Sequence, residues 1–396
     1  EQGIVNGWQV EQLTHGTDAG LYHAHSYYDL NVFDAESRRI VAHRMHGVAE
    51  RALRPDDRIT VGLIDTEADG AWTEIGQSSA WSWQQGPMAQ WVPGTSLVLW
   101  NDRDDATFVT RVLDTVNQTR RTLPIASYVV DPRARFTLGV NMARLDTLRP
   151  GYGYCGGAGA RLDQRRPRED GVWKQPLDGS APTLILSLDR AVRFLYSQLG
   201  WRDVLDHRVK RYRYWFNHVK IAPDGNRFTV KLRFRSRDAK KGWSDRMGVS
   251  LTCGTDGEVL ALMTDATSHV IWADNQTLYF WRKRDGVCLY ADETPKGRYL
   301  RPIAPEVIDY NVHLRYLPGS THRMVFDTPY RESIDVLIHD EQSEATQTIA
   351  HFDNHRPARG QYRCDLHPCP SPDANKIVVT SLDDGARQVY LLRKTA

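Results

Sequence analysis

Short apolar runs alternate with polar turns along the whole chain, and one phrase recurs. In 217–230 (NHVKIAPDGNRFTV), 268–280 (SHVIWADNQTLYF) and 366–379 (LHPCPSPDANKIVV), a polar residue precedes a short apolar strand, a Pro/Asp/Asn/Gly turn and a β-rich strand. That pattern predicts a hairpin. Looser copies lie at 25–43, 88–100, 126–140 and 313–326, and second turns flanked by strands follow at 61–75, 171–186 and 248–262. Four short strands per repeat make a propeller blade. Counting hairpins predicts seven blades, beginning near residues 22, 77, 123, 214, 266, 310 and 362. Their unequal spacing implies insertions, the longest at about 145–170 and 187–213. Within the second, 188–200 carries apolar residues at helical spacing and ends at Gly200, which predicts one short helix in an otherwise β chain. Residues 8–14 (WQVEQLT) read as a strand that completes the last sheet and removes its exposed edge. The expectation is an all-β, seven-bladed β-propeller of four-stranded antiparallel blades, closed by its N-terminal strand, with 1–396 as a single domain.

Composition narrows the partners. The 396 residues hold 51 Lys and Arg against 49 Asp and Glu, a net charge of +2, which argues against nucleic acid as the main partner. Hydrophobic residues make up 41% and aromatics 10%, which excludes a disordered chain or a coiled coil. No stretch approaches the roughly 18 apolar residues that a membrane span needs. Basic residues cluster at 208–213 (RVKRYR) and 231–241 (KLRFRSRDAKK), either as the solvated face of strands or as a groove for an anionic polymer. Five cysteines form no dense disulfide framework. A chain that starts at Glu1 suits a removed export peptide, so a secreted or periplasmic monomer is expected.

Candidate chemistry gathers where the blades begin. Aligning the repeats on their turns sets His218, His269, His313 and His367 at one level, where imidazoles serve as metal ligands or as partners for an acidic ligand. The pattern leaves both open. Cys364 and Cys369 flank His367, but without the paired spacing of a zinc knuckle; the plainer reading is a cysteine pair beside a structural histidine. Blade 1 adds His23 and His25 on its first strand and His43 and His46 on its second. A turn at Asp34–Ser37 pairs Phe33 with Arg38, and so sets His25 opposite His46 and His43 opposite Tyr28.

The repeats, together with HAHSYYD at 23–29, WSWQQGPMAQWVPG at 81–94 and HPCPSPD at 367–373, resemble the seven-bladed propeller polysaccharide lyases, the ulvan lyases and more distantly the oligogalacturonate lyases. In the ulvan lyases a histidine pair on one blade is followed by a Tyr and an Arg; here His25 and His46 stand 21 residues apart, and Tyr128 and Arg144 stand 16 apart. The resemblance implies β-elimination next to a uronic acid. Arg144 would neutralise the carboxylate, His25 and Tyr128 would act as base and acid in either order, and His46 would assist with the carboxylate. His23, His43, Trp83, Tyr152, His218 and His269 would bind the sugar, with Trp81 and Trp91 as further stacking candidates and Tyr154 as a substitute for Tyr128. The resemblance also implies a structural zinc at Cys364, His367 and Cys369 with His313, and no organic cofactor. The expected partner is an anionic polysaccharide or oligosaccharide, with ulvan favoured. Two rivals stand beside it: a glycoside hydrolase cutting a rhamnose–glucuronate linkage, for which the His-rich mouth lacks the usual carboxylate pair, and a non-catalytic glycan-binding propeller.

Overall fold

The computed structural model describes residues 3–47, 51–236, 247–265, 267–355 and 360–395. Seven sheets of sequential antiparallel strands make a seven-bladed β-propeller. The first strands of blades 1 to 7 are Leu21–Ala24, Gln90–Trp91, Val129–Val130, Arg213–Ile221, Ser268–Trp272, Leu314–Tyr316 and Cys369–Pro370. Blades 2, 3 and 7 start later than the hairpin count predicts, because irregular lead-ins precede their short first strands. Trp8–Gln12 adds to the last blade, with Trp8 opposite Lys394 and Gln12 opposite Tyr390. The expected closing strand is therefore present.

Contacts group the chain into two compact units: residues 1–103, 110–122 and 311–396, and residues 104–109 with 123–310. In the first, Trp8, Val10, Val336, Ile338, Phe352, Leu366, Ile377, Tyr390 and Leu392 share one buried core. Burying each such side chain stabilises the fold by about 1.5–3 kcal/mol. This packing fixes blades 6 and 7, which carry the main site.

α-Helices are confined to the second unit among the described residues; the first has only 3-10 turns at Thr17–Ala19 and Gly360–Tyr362. The predicted helix is α2, Leu188–Gln198, capped by Ser187, whose hydroxyl accepts from the Arg190 N–H. Two more, α1 (Met142–Leu148) and α3 (Trp201–Val209), correct the expectation of a single helix. Asn141 caps α1 by accepting from the Arg144 N–H. Gly200, read as a terminator, is instead the N-cap residue of α3. Of the apolar positions of α3, Trp201, Leu205 and Val209 are exposed and Val204 is half-buried, so this helix has no buried apolar stripe for periodicity to reveal. No helix of the described residues is long and apolar enough to cross a membrane.

A backbone device recurs at the start of the blades. Met88, His218, His269 and His367 all adopt left-handed φ, between 50° and 54°. Each lies five residues before the turn residue Pro93, Pro223, Asp274 or Pro372. In blades 4 and 5 the ladder skips a residue there, between Asn217 and Lys220 and between Ser268 and Ile271. Such a bulge re-aims a side chain that regular alternation would direct elsewhere. The conformation costs of order 1–3 kcal/mol per non-glycine residue, which surrounding packing must hold.

Candidate functional site

The first unit assembles a buried imidazole–carboxylate cluster from blades 6 and 7. Leu314 pairs with Phe326, so the same register carries His313 to Asp327. There the His313 backbone N–H donates to Asp327 Oδ1 at 3.0 Å and its Nδ1–H donates to Oδ2 at 2.8 Å. A carboxylate on Nδ1 selects the tautomer whose lone pair lies on Nε2, the arrangement that outer carboxylates impose on metal-binding histidines. Asp365 Oδ2 stands 4.0 Å from His313 Nε2 and 3.7 Å from His367 Nε2, and the three ligand atoms all lie within 4.8 Å of one another. Arg363 Nε donates to Asp365 Oδ2 at 2.8 Å and orients it.

The electrostatics favour a cation there. Burial pulls the pKa of His313 down, but the charge and hydrogen bond of Asp327, with the charge of Asp365, more than offset it, and the net shift is upward. His367 is pushed well below its ordinary value, first by burial and then by the neighbouring His313 and His25. Its Nε2 is buried with no hydrogen-bond partner, an expensive state for a polar atom that a ligated ion would relieve. Two imidazoles and a carboxylate suit a borderline or hard divalent ion such as zinc or manganese.

The expected zinc set is thus half present: His313 and His367 join, and Asp365 takes the place of the cysteines. Cys369 donates to the Leu30 carbonyl at 3.3 Å and accepts from Arg315 Nη1 at 3.4 Å, and burial raises its pKa, so it stays a thiol. Cys364 Sγ faces the carbonyls of Asp365 and Thr380.

Blade 1 requires a correction of register. His43 pairs with Ala24 and His46 with Leu21, so His25 does not face His46, nor Tyr28 His43. The turn at Asp34–Ser37 is present, but Phe33 bridges Ile40 rather than Arg38, and the regular ladder stops at Ala24, so the residues between shift the register. His25 is buried behind the cluster; its Nε2–H donates to the His367 carbonyl and its Nδ1 accepts from the Thr380 hydroxyl, both at 2.8 Å. Burial lowers its pKa to about 4. It therefore clamps the left-handed backbone of His367 and is sealed from solvent. His23 donates from Nδ1 to Gln388 Oε1 at 2.9 Å, His43 lies against Gly86, and exposed His46 reaches Thr60 at 3.2 Å. Tyr27 and Tyr28 pack on the imidazoles of His367 and His313, with centroids 4.5 and 5.2 Å apart. Half-exposed Tyr330 lies 6.3 Å from the His313 ring and 5.7 Å from the Arg363 guanidinium. Trp81 and Trp83 donate to the carbonyls of Asp57 and Arg51, and Trp91 is buried under Arg39; all three are packing residues.

The second unit brings together Tyr128, Tyr152 and His218. The Tyr128 hydroxyl donates to Asn217 Oδ1 at 2.9 Å and accepts from the His218 N–H at 3.2 Å, and Tyr152 meets the His218 ring edge-on at 5.3 Å. Burial, then Arg233, Lys220, Lys231 and Arg149, hold His218 well below its ordinary pKa. His269 sits half-buried on the next bulge, and Tyr154 is buried against Phe108. Lys231, Arg233 and Arg235 are buried, which corrects their reading as a solvated face; the Lys231 ammonium donates to the Thr267 carbonyl. Residues 237–241 of that basic cluster lie outside the described residues.

Arg144 is fully engaged inside the protein. Nε donates to the Tyr214 carbonyl, Nη1 to those of Ala160 and Arg161, and Nη2 to those of Gln164 and Arg165, at 2.7–3.1 Å. A guanidinium has five N–H groups, so none is left for a substrate carboxylate. Burial lowers its pKa to about 10, still charged at neutral pH. The residues that sequence reasoning passed over are Asp365, Asp327, Arg363, Thr380 and Tyr330. Only Asp365, two positions before His367, carried a signal along the chain.

The fold and the His/Asp cluster define a propeller with a candidate cation site, and the comparisons bear on the fold. No protein-family model matches the chain, and no curated protein matches its sequence. Among solved structures it is similar to an oligogalacturonate lyase in complex with manganese, at 13% identity over 100% of this chain and 96% of that one, with a TM-score of 0.61. It is also similar to an oligogalacturonate lyase from Vibrio parahaemolyticus, at 11% identity, 99% and 96% coverage, and a TM-score of 0.60. At these identities the likeness shows the fold.

Proposed function

We propose that the protein is a divalent-cation-dependent lyase that cleaves a uronate-containing anionic glycan by β-elimination. The observation that carries this reading is the buried His313–Asp365–His367 cluster, backed by Asp327 and with an orphaned His367 Nε2. The manganese-bound oligogalacturonate lyase of like fold supports the substrate class.

His313, Asp365 and His367 would hold the cation, and the chemistry it would supply is neutralisation of the uronate carboxylate, which would acidify the C5–H bond. Asp327 keeps the lone pair of His313 on Nε2, His25 and Thr380 fix the backbone of His367, and Arg363 aims Asp365. In the elimination the C5 proton passes to a base of the solvent, the electron pair of the C5–H bond forms the C4–C5 double bond, the C4–O bond breaks, and the departing oxygen takes up a proton. Tyr330, exposed beside His313 and Arg363, supplies that last proton. The acid role expected of Tyr128 and the base role expected of His25 face a geometric obstacle, since the polar atoms of both side chains are hydrogen-bonded within the protein.

The test is incubation with oligogalacturonate, ulvan, heparin-type and gum-arabic-type glycans, with manganese or with a chelator, followed by near-ultraviolet absorbance. Unsaturated product that disappears on chelation, returns with manganese, and is lost in His367→Ala is expected. New reducing ends without that absorbance would mean hydrolysis, and glycan binding without either product would mean a binding propeller.

A further inference from the structure

The two insertions that the blades do not need build a cavity of their own. A basin of about 740 Å³ in the second unit is lined by residues of the 163–169 loop together with Asp189 and Tyr196 of α2 and Arg208 of α3. Pockets of about 300–1,000 Å³ are the usual size for small ligands. Four arginines line it: Arg165, Arg166, Arg168 and Arg208.

The basin is held rigid from beneath. Arg144 ties down the carbonyls of Ala160, Arg161, Gln164 and Arg165, and Arg165 itself donates to the carbonyls of Tyr212 and His207. Tyr196 forms an aromatic wall, its hydroxyl 2.8 Å from that of Tyr214, which lies 2.8 Å from His207 Nδ1. The guanidiniums of Arg166 and Arg208 stand 5.9 and 6.0 Å from the Tyr196 ring.

The charge is only partly compensated. Asp189 is bridged by Arg166, Arg168 and Arg193, and Glu169 pairs with Arg161; Asp163 is the third carboxylate of the lining. Among the described residues neither Arg165 nor Arg208 has a carboxylate partner. A planar guanidinium matches carboxylate and sulfate oxygens alike. An open basin with an aromatic wall fits a sugar unit better than an extended phosphate backbone, which would call for a basic stripe.

We propose that this basin is a binding site for an acidic sugar unit, with Arg208 and Arg165 taking its carboxylate or sulfate ester. It shares no residue with the His313–Asp365–His367 cluster and does not depend on that cluster being catalytic.

The test uses the full chain carrying His367→Ala, with chelator present, so that turnover does not intrude. Calorimetry measures binding of oligogalacturonate, dextran sulfate, uncharged dextran and a mixed-sequence DNA strand. At least a ten-fold loss of affinity for the preferred acidic glycan is expected in Arg208→Ala, with partial recovery in Arg208→Lys, and the preferred glycan tells carboxylate from sulfate. In the protein retaining Arg208, that glycan should also shield Arg165 and Arg208 from phenylglyoxal, read by mass spectrometry, which keeps the proposal testable should Arg208→Ala misfold. Unchanged affinity in a folded Arg208→Ala, no shielding, dextran bound as tightly as the acidic glycans, or DNA bound more tightly than they are would each overturn it.

Discussion

Replacing Asp327 by Asn probes the cluster through a residue that is not itself one of the three candidate cation ligands. The carboxylate now accepts two hydrogen bonds from His313, at the backbone N–H and at Nδ1–H. Asn can keep one with its carbonyl oxygen, but its amide NH₂ then faces Nδ1 and needs an acceptor there. The imidazole answers by moving its proton to Nε2, where a cation would need the lone pair. Outer partners of this kind are worth roughly ten- to a hundred-fold in metal affinity, or about 1.4–2.8 kcal/mol. The near-isosteric change leaves the buried space filled, and manganese affinity by calorimetry or by the free-ion paramagnetic signal reads the effect directly. A folded Asp327→Asn that binds manganese within two-fold of the unaltered protein would refute the role of His313 as a ligand set by Asp327.

Arg144→Lys leaves at least two of the five carbonyls without a donor, and should cost about 2–5 kcal/mol in chemical unfolding while leaving manganese affinity unchanged; equal stability would revive a catalytic reading. Tyr330→Phe should lower turnover on the preferred glycan about 10²-fold or more without moving the unfolding midpoint, and full turnover would remove it as the acid. Gly86→Ala would force a Cβ at φ +55° to within 2.4 Å of His43 Cε1, and a loss of about 2–4 kcal/mol in urea unfolding is expected. Burial holds His23 at about 4 and His43 at about 3, against 6.5 when unfolded, so the unfolded state binds protons first. Their contribution is complete above pH 6.5 and is lost as pH falls toward 4 for His23 and 3 for His43, each histidine removing about 1.4 kcal/mol for every pH unit of that descent. His43→Leu should flatten that acid slope, and an unchanged slope would mean the imidazole is not buried as a neutral base.

What the chain made legible follows from the range over which each cause acts. Hairpins announce themselves because turn chemistry and alternation are local, so the seven blades, the closing strand at Trp8–Gln12 and α2 all read directly from neighbouring residues. Lining up the histidines also worked where a turn lay at a constant distance. His218, His269 and His367 occupy one left-handed position, and His313 the matching place in blade 6 without that backbone twist. Their fates then diverge through partners remote in sequence. His313 becomes a candidate ligand because register delivers Asp327 to its Nδ1, whereas His218 sits among Tyr128, Arg149 and Arg233 and has an environment that repels a proton. Arg144 shows the same limit from the other side. A residue chosen by spacing as the carboxylate partner turns out to be saturated by backbone oxygens, four in a loop that begins 16 residues downstream and one at Tyr214. A repeat fold therefore fixes the level at which a side chain emerges, and the neighbouring strands decide whether it meets a carboxylate, a cation or a carbonyl. In this protein that decision runs through Asp327, a residue with no histidine, cysteine or repeat signature beside it to mark it in advance.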